Sequence, residues 1–173
     1  GMAESEFTPF GFPGSNNELM KIVDNLIADG KMEPMIIVSP TWYYEKDAGM
    51  GDLDTLVKNF STELQRDIIP LVEGKYHTYA AATDAASLKA SRDHRAFGGF
   101  SMGGNCTWYQ YEQSFEYFKY FVPVSMWSWL SNNPQALIDQ GYIGKDGSED
   151  GNAVVANYFS KIPAKYGYTD KDF

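Results

Sequence analysis

A serine at the junction of an apolar run and a helical segment limits this chain more than any other feature. Ser101 lies in Gly99-Phe100-Ser101-Met102-Gly103, directly after the strand-like Arg95-Ala96-Phe97-Gly98 and just before a helical stretch. In that context a Gly-x-Ser-x-Gly sequence forms a sharp strand-to-helix turn, which projects the serine hydroxyl above the carboxyl edge of a sheet. Small residues let the strand and helix approach, and Gly99, Gly103 and Gly104 supply them. The backbone N–H of Met102, at the helix start, then points to where an oxyanion would develop. The pattern alone is weak in a chain with 16 glycines, and its plain alternative is a glycine-rich turn carrying an exposed serine.

The remaining chain alternates around that turn. After a Gly/Pro-rich lead, residues 17–28 place Leu19, Ile22, Val23, Leu26 and Ile27 at helical spacing, and Asp29-Gly30 closes the helix. Met35-Ile36-Ile37-Val38-Ser39, ended by Pro40, has the form of a strand buried on both faces of a parallel sheet. Residues 52–69 repeat an apolar face through Leu53, Leu56, Val57, Phe60, Leu64 and Ile68, and that helix is expected to stop at Pro70. A strand over 95–100, a helix over 105–114 and a third strand over 120–125 follow, the last interrupted by Pro123. Residues 134–140 and 152–161 read as helices. Strands alternating with helices imply one α/β domain over residues 1–173 with a mostly parallel sheet. Three strands are few for a sheet, and the chain opens on a helix and closes at Asp170-Lys171-Asp172-Phe173, where another strand is due. The domain is therefore expected to be cut at both ends.

Composition removes several classes of function. A net charge of −9 repels phosphate backbones and anionic lipid, so no nucleic-acid or membrane partner is expected. No apolar run approaches the roughly 18 residues that span a bilayer. Cys106 is the single cysteine, which forbids an internal disulfide; near the start of a helix and with no histidine nearby in sequence, it reads as a small core residue. Asp146-Gly147-Ser148-Glu149-Asp150-Gly151 opens like a calcium loop, but Asn157 stands where a bidentate Glu is required, so a polar turn is expected. No metal-ligand spacing or phosphate loop is present, and neither metal nor cofactor is expected.

The block Ala90-Ser91-Arg92-Asp93-His94-Arg95-Ala96-Phe97-Gly98-Gly99-Phe100-Ser101-Met102-Gly103-Gly104, with Tyr117-Phe118-Lys119-Tyr120-Phe121-Val122-Pro123-Val124-Ser125 after it, resembles the feruloyl and acetylxylan esterases attached to bacterial xylanases. The resemblance extends to Asn16-Asn17-Glu18-Leu19 and to Pro34-Met35-Ile36-Ile37-Val38, and so covers nearly the whole chain. It implies an α/β-hydrolase-like three-layer sandwich that hydrolyses feruloyl or acetyl esters of plant cell-wall polysaccharide outside the cell. By the same resemblance Ser101 is the nucleophile and Met102 one oxyanion donor. The family's other oxyanion donor would precede residue 1, and its acid and histidine would follow residue 173.

The histidines agree with that expectation. Both His77 and His94 precede Ser101, whereas in such hydrolases the order is Ser, acid, His. Seven residues of strand put His94 roughly 20 Å from Ser101, at the wrong edge of the sheet. His77 reads as a surface or loop residue. Glu112, Glu116, Asp139, Asp146, Glu149 and Asp150 follow the nucleophile, but no histidine links any of them to it, and none is assigned. The chain alone is expected to be nearly inactive. Ligands bind beyond the carboxyl ends of the strands, and two aromatic clusters fall there by sequence. Trp42-Tyr43-Tyr44 follows the first strand, and Trp127 and Trp129 follow the third. Trp42 and Trp127 are the candidate substrate-binding residues, with closure of the core as the equal alternative. Two other functions stay open: a binding or scaffold piece completed by a second chain or by self-association, and an acyltransferase of the same fold.

Overall fold

The computed structural model describes residues 18–40, 53–126, 128, 138–139 and 151–172. The chain divides into two units, Gly1–Tyr44 and Glu45–Phe173. In the first, α1 (Glu18–Ala28) buries Val23 and half-buries Met20, Leu26 and Ile27, while Leu19 and Ile22 are exposed. Its end is a Schellman-type cap: the N–H of Lys31 donates to Leu26 O at 2.8 Å and that of Gly30 to Ile27 O at 3.0 Å. Gly30 adopts φ 67°, the left-handed conformation such a cap requires.

The strand expected at 35–39 does not form. An apolar run becomes a strand only when a neighbour takes up its N–H and C=O groups. Residues 35–39 join no ladder among the described residues, and Met35, Ile36 and Val38 are 54%, 48% and 46% exposed.

The second unit begins with α2 (Leu53–Glu63), which passes through a π-helical turn (Leu64–Ile68) into α3 (Ile69–Lys75). The helix runs through Pro70 instead of stopping there. A proline inside an α-helix lacks a donor and crowds the preceding carbonyl. The π turn, whose wider loop closes as Ile69 N–H donates to Leu64 O, delivers Pro70 to the first turn of α3, where a proline is tolerated. The extra residue also rotates the apolar face, so that Val57, Phe60, Leu64 and Ile69 are buried and Ile68 only half so.

Next come α4 (Ala85–Ala90), capped by the Asp84 carboxylate on the N–H groups of Ala86 and Ser87, and β1 (Ala96–Phe100). The cap bonds, led by the Ser87 hydroxyl, hold the Asp84 carboxyl below its ordinary value. Ser101 then leads into α5 (Met102–Gln113), which returns to β2 (Tyr120–Val124). β1 and β2 pair in parallel, Ala96 opposite Tyr120 and Phe100 opposite Val124, and form the one sheet among the described residues. Pro123 does not break β2. Val124 O accepts the Ser101 N–H, so Val124 turns its polar groups to β1. Backbone groups alternate sides along a parallel strand, so the missing N–H of Pro123 is on the side away from β1.

One face of this pair carries half-buried Phe97, Gly99, Phe121 and Pro123; the other, with Ala96, Gly98, Phe100, Tyr120, Val122 and Val124, is exposed. Phe121 packs edge-on to Tyr111 of α5 at 5.2 Å and stacks with Phe115 at 6.1 Å. Helices α6 (Gly151–Ser160) and α7 (Ile162–Lys165) add Tyr158, Phe159 and Ile162 to the cluster around Phe115. Of the helix expected at 134–140, only Ile138 and Asp139 are among the described residues, and both are helical.

The start of β1 is held by two arginines, Arg92 buried and Arg95 half-buried. Arg92 donates to Phe115 O (3.3 Å) and Phe118 O (3.0 Å), and its guanidinium faces the Phe115 and Tyr168 rings at 5.0 and 4.4 Å. Arg95 pairs with Glu73 at 2.5 Å while donating to Leu88 O, Tyr117 O and Ser91 Oγ. Removing one partner of a buried pair strands the other charge. Arg95→Met is therefore expected to cost about 3–5 kcal/mol in urea denaturation. Adding Glu73→Leu should recover the part due to the stranded Glu73 charge but not the lost bonds to Leu88 O, Tyr117 O and Ser91 Oγ; a cost under about 1 kcal/mol for the single variant would show that Arg95 does not fasten the strand.

Candidate active site

Ser101 stands at the carboxyl end of β1 as the N-cap of α5, with φ 54° and ψ −118°. That conformation costs a residue bearing a side chain about 1–3 kcal/mol, and it persists only where the surroundings impose it. Here both backbone groups are committed: the Ser101 N–H donates to Val124 O at 2.9 Å, and Ser101 O accepts from the Asn105 N–H at 3.1 Å. The side chain is half-buried and caps nothing in the helix.

The turn is too tight for side chains at two of its glycines. A Cβ on Gly99 would lie 2.5 Å from the carbonyl carbon and oxygen of Gly103. One on Gly104 would lie 2.8 Å from Val124 O and 3.1 Å from Met126 Cβ. Gly103 differs from the expectation, because a Cβ there meets nothing within 4 Å. The close approach is made by the Gly103 backbone, so its lack of a side chain opens no space that strand or helix uses.

Met102 is the first residue of α5 and half-buried. Since Asn105 is the first residue to bond back to Ser101, the N–H groups of Met102, Gly103 and Gly104 precede the first α-helical bond of α5. Unbonded donors at the positive end of a helix favour negative charge. Trp42 and Trp127, with Tyr43, Tyr44 and Trp129, lie outside the described residues, as does the stretch 146–150.

The histidines lie toward the other end of the strand. His94 ends a 3-10 turn (Arg92–His94) ahead of β1 and stacks on Tyr79 at 3.6 Å. His77 is exposed, four residues beyond the Glu73 that pairs with Arg95 at the start of β1. Glu112 accepts the Tyr158 hydroxyl, and Glu116 pairs with Lys89 at 2.6 Å; both acids are engaged in structure. Among the described residues, no group of three or more His, Cys, Asp or Glu could hold a metal ion, and no helix is long and apolar enough to cross a membrane.

Cys106 is fully buried, and burial pushes its thiol up to about 12, against a smaller opposing effect from the Gln110 amide donating to Sγ at 3.9 Å. It should not react with Ellman's reagent at pH 8 in the folded protein, and should titrate as one thiol in urea. Prompt reaction without denaturant would mean that this part of α5 opens.

Sequence reasoning missed Val124 of β2, whose carbonyl takes the Ser101 N–H, and the turn that follows it. Ser125 also has positive φ, at 55°, and the Trp108 Nε1–H donates to Met126 O at 3.1 Å. Only the strand register could have pointed to them.

A serine at positive φ between a parallel strand and the helix that follows it has the strand–turn–helix geometry of a nucleophile elbow. No family model matches the chain. Two solved structures do, one of FAE and one of a serine-to-alanine mutant of the feruloyl esterase module from Clostridium thermocellum, complexed with sinapinate; each has a TM-score of 0.61 and 34% identity. Each match covers 96% of this chain and 60% of the solved one. Endo-1,4-beta-xylanase Y of Acetivibrio thermocellus is 41% identical over 135 residues, which make up 78% of this chain and 12% of that protein. The chain is thus similar to a feruloyl esterase module over nearly all its length, and these neighbours imply an α/β-hydrolase fold.

Proposed function

We propose that this chain is the nucleophile-bearing part of a serine carboxylic-ester hydrolase that acts on feruloyl or acetyl esters of xylan, outside the cell. The observation that carries the reading is the strained Ser101 elbow in a chain 34% identical to a feruloyl esterase module. The sheet then belongs to a three-layer α/β-hydrolase sandwich that extends beyond these residues.

In this reading Ser101 Oγ attacks the ester carbonyl while a histidine accepts its proton. The charge that develops on the carbonyl oxygen is met by the Met102 N–H at the positive end of α5. The imidazolium then gives its proton to the departing sugar hydroxyl, and an acyl-enzyme remains. Water, deprotonated by the same histidine, releases the acid and restores the serine. Neither His77 nor His94 suits the part of base, so the reading draws that histidine, and the acid that orients it, from outside the 173 residues. Trp42 and Trp127 are the aromatic residues that the sequence offers for binding an aromatic acyl group.

The test joins the chain to the part of the Clostridium thermocellum module that the match leaves uncovered, and measures ferulate release from methyl ferulate. Turnover in the joined protein, with little in the 173-residue chain, is the expected result. A folded joined protein that releases no acid from feruloyl or acetyl esters would sink the reading. Products formed with an added sugar acceptor separate hydrolysis from acyl transfer.

A further inference from the structure

We propose that Trp108 and the backbone turn at Ser125 position Ser101, an inference that rests on Ser101 being the reacting residue. β1 and β2 run in register with Phe100 opposite Val124, so Ser101 and Ser125 are the next residues at the same end of both strands. They are also the two non-glycine residues with positive φ among the described residues. Such a conformation persists only where neighbours over-determine it.

At Ser125 the neighbours come from the N-cap of α5 on one side and from α5 itself on the other. Val124, before it, is tied through its carbonyl to the Ser101 N–H at 2.9 Å. Met126, after it, is tied through its carbonyl to the Trp108 indole N–H at 3.1 Å. Between these ties, Val124 O and Met126 Cβ fill the space beside Gly104, one helical turn before Trp108. The Trp108 ring is itself held against Phe159 at 4.7 Å.

The turn leaving β2 is thus clamped to the first two turns of α5, and the clamp fixes the carbonyl that receives the Ser101 N–H. If the turn relaxed, Val124 O would shift and the Ser101 backbone would lose its anchor, changing the height of the hydroxyl above the sheet. Trp108 and the turn at Ser125 act on Ser101 through that carbonyl, without touching the reacting atoms.

Amide hydrogen exchange tests this on the 173-residue chain, because exchange at Ser101 reports the Val124 bond directly and needs no turnover. Trp108→Phe keeps a ring against Phe159 and removes the donor. Ser125→Val places a β-branched side chain where φ is positive, and Ser125→Gly relieves the strain without moving the turn. Exchange at Ser101 is expected to rise about fivefold to tenfold in Trp108→Phe and at least as much in Ser125→Val, while Ser125→Gly exchanges like the parent. The core amides of Phe115 and Phe159 should stay within about twofold throughout. Unchanged exchange at Ser101 in both Trp108→Phe and Ser125→Val overturns the proposal. So does equal acceleration at the core amides, which would make both residues structural only. In the joined protein, Trp108→Phe should lower kcat for methyl ferulate with little change in KM. If the unmodified joined protein shows no turnover while the Ser101 amide still responds, the clamp stands and the ester-hydrolase reading falls.

Discussion

Replacing Ser101 with alanine in the joined protein is expected to reduce kcat for methyl ferulate by about 10⁴–10⁶-fold, with the melting temperature unchanged or slightly raised. The loss should be this large because the acyl-enzyme cannot form without the hydroxyl. What remains is the contribution of binding and of the oxyanion donors, which in serine hydrolases still accelerate the reaction about 10³–10⁴-fold over water. The melting temperature should hold because the Ser101 side chain caps nothing, and its backbone bonds to Val124 and Asn105 do not involve the hydroxyl. Steady-state kinetics beside a thermal melt measures both quantities. Retention of more than a few per cent of the parent rate would show that another residue carries the attack.

Gly99→Ala is expected to cost the largest share of stability of any single methyl group in the elbow, about 3 kcal/mol, read as a fall of roughly 10 °C in melting temperature. The added carbon would lie 2.5 Å from the Gly103 carbonyl group, which is backbone and cannot rotate away. Either β1 or α5 must shift, and each is held by the other through Ser101. Gly103→Ala makes the contrast. Its Cβ meets nothing within 4 Å, and alanine is favoured over glycine within helices, so the change should be neutral or stabilise by up to about 1 kcal/mol. The two glycines of one short motif thus differ in sign. Equal losses at both positions would mean that the strand and helix are not as close as described.

Local chemistry made much of this legible. α1, β1, α5 and β2 were readable because each carries its own signal: helical spacing, an apolar run, or the glycines flanking a serine. Pro70 misled because its cost depends on the turn before it, and the π turn at Leu64–Ile68 leaves no mark in composition. Residues 35–39 misled for a related reason. An apolar run reports a wish for burial, and whether a strand results depends on partners elsewhere in the chain. The strand-to-helix turn at Ser101 was readable from its motif and its context. Ser125 was not, since serine has no special preference for positive φ, and the residues on either side of it, Val124 and Met126, meet Gly104 and Trp108, about twenty residues away in sequence.

The two arginines at the start of β1 have a consequence for how this protein can change over time. In a parallel sheet every strand begins at one edge and ends at the other, so the Arg95–Glu73 ion pair with the Arg92 bonds to backbone carbonyls lies at one edge and the Ser101 elbow at the opposite one. Durability and the reactivity proposed for Ser101 are therefore placed at opposite ends of one short strand. Selection, or a protein engineer, can harden the molecule against heat at one edge while the chemistry at the other is left alone.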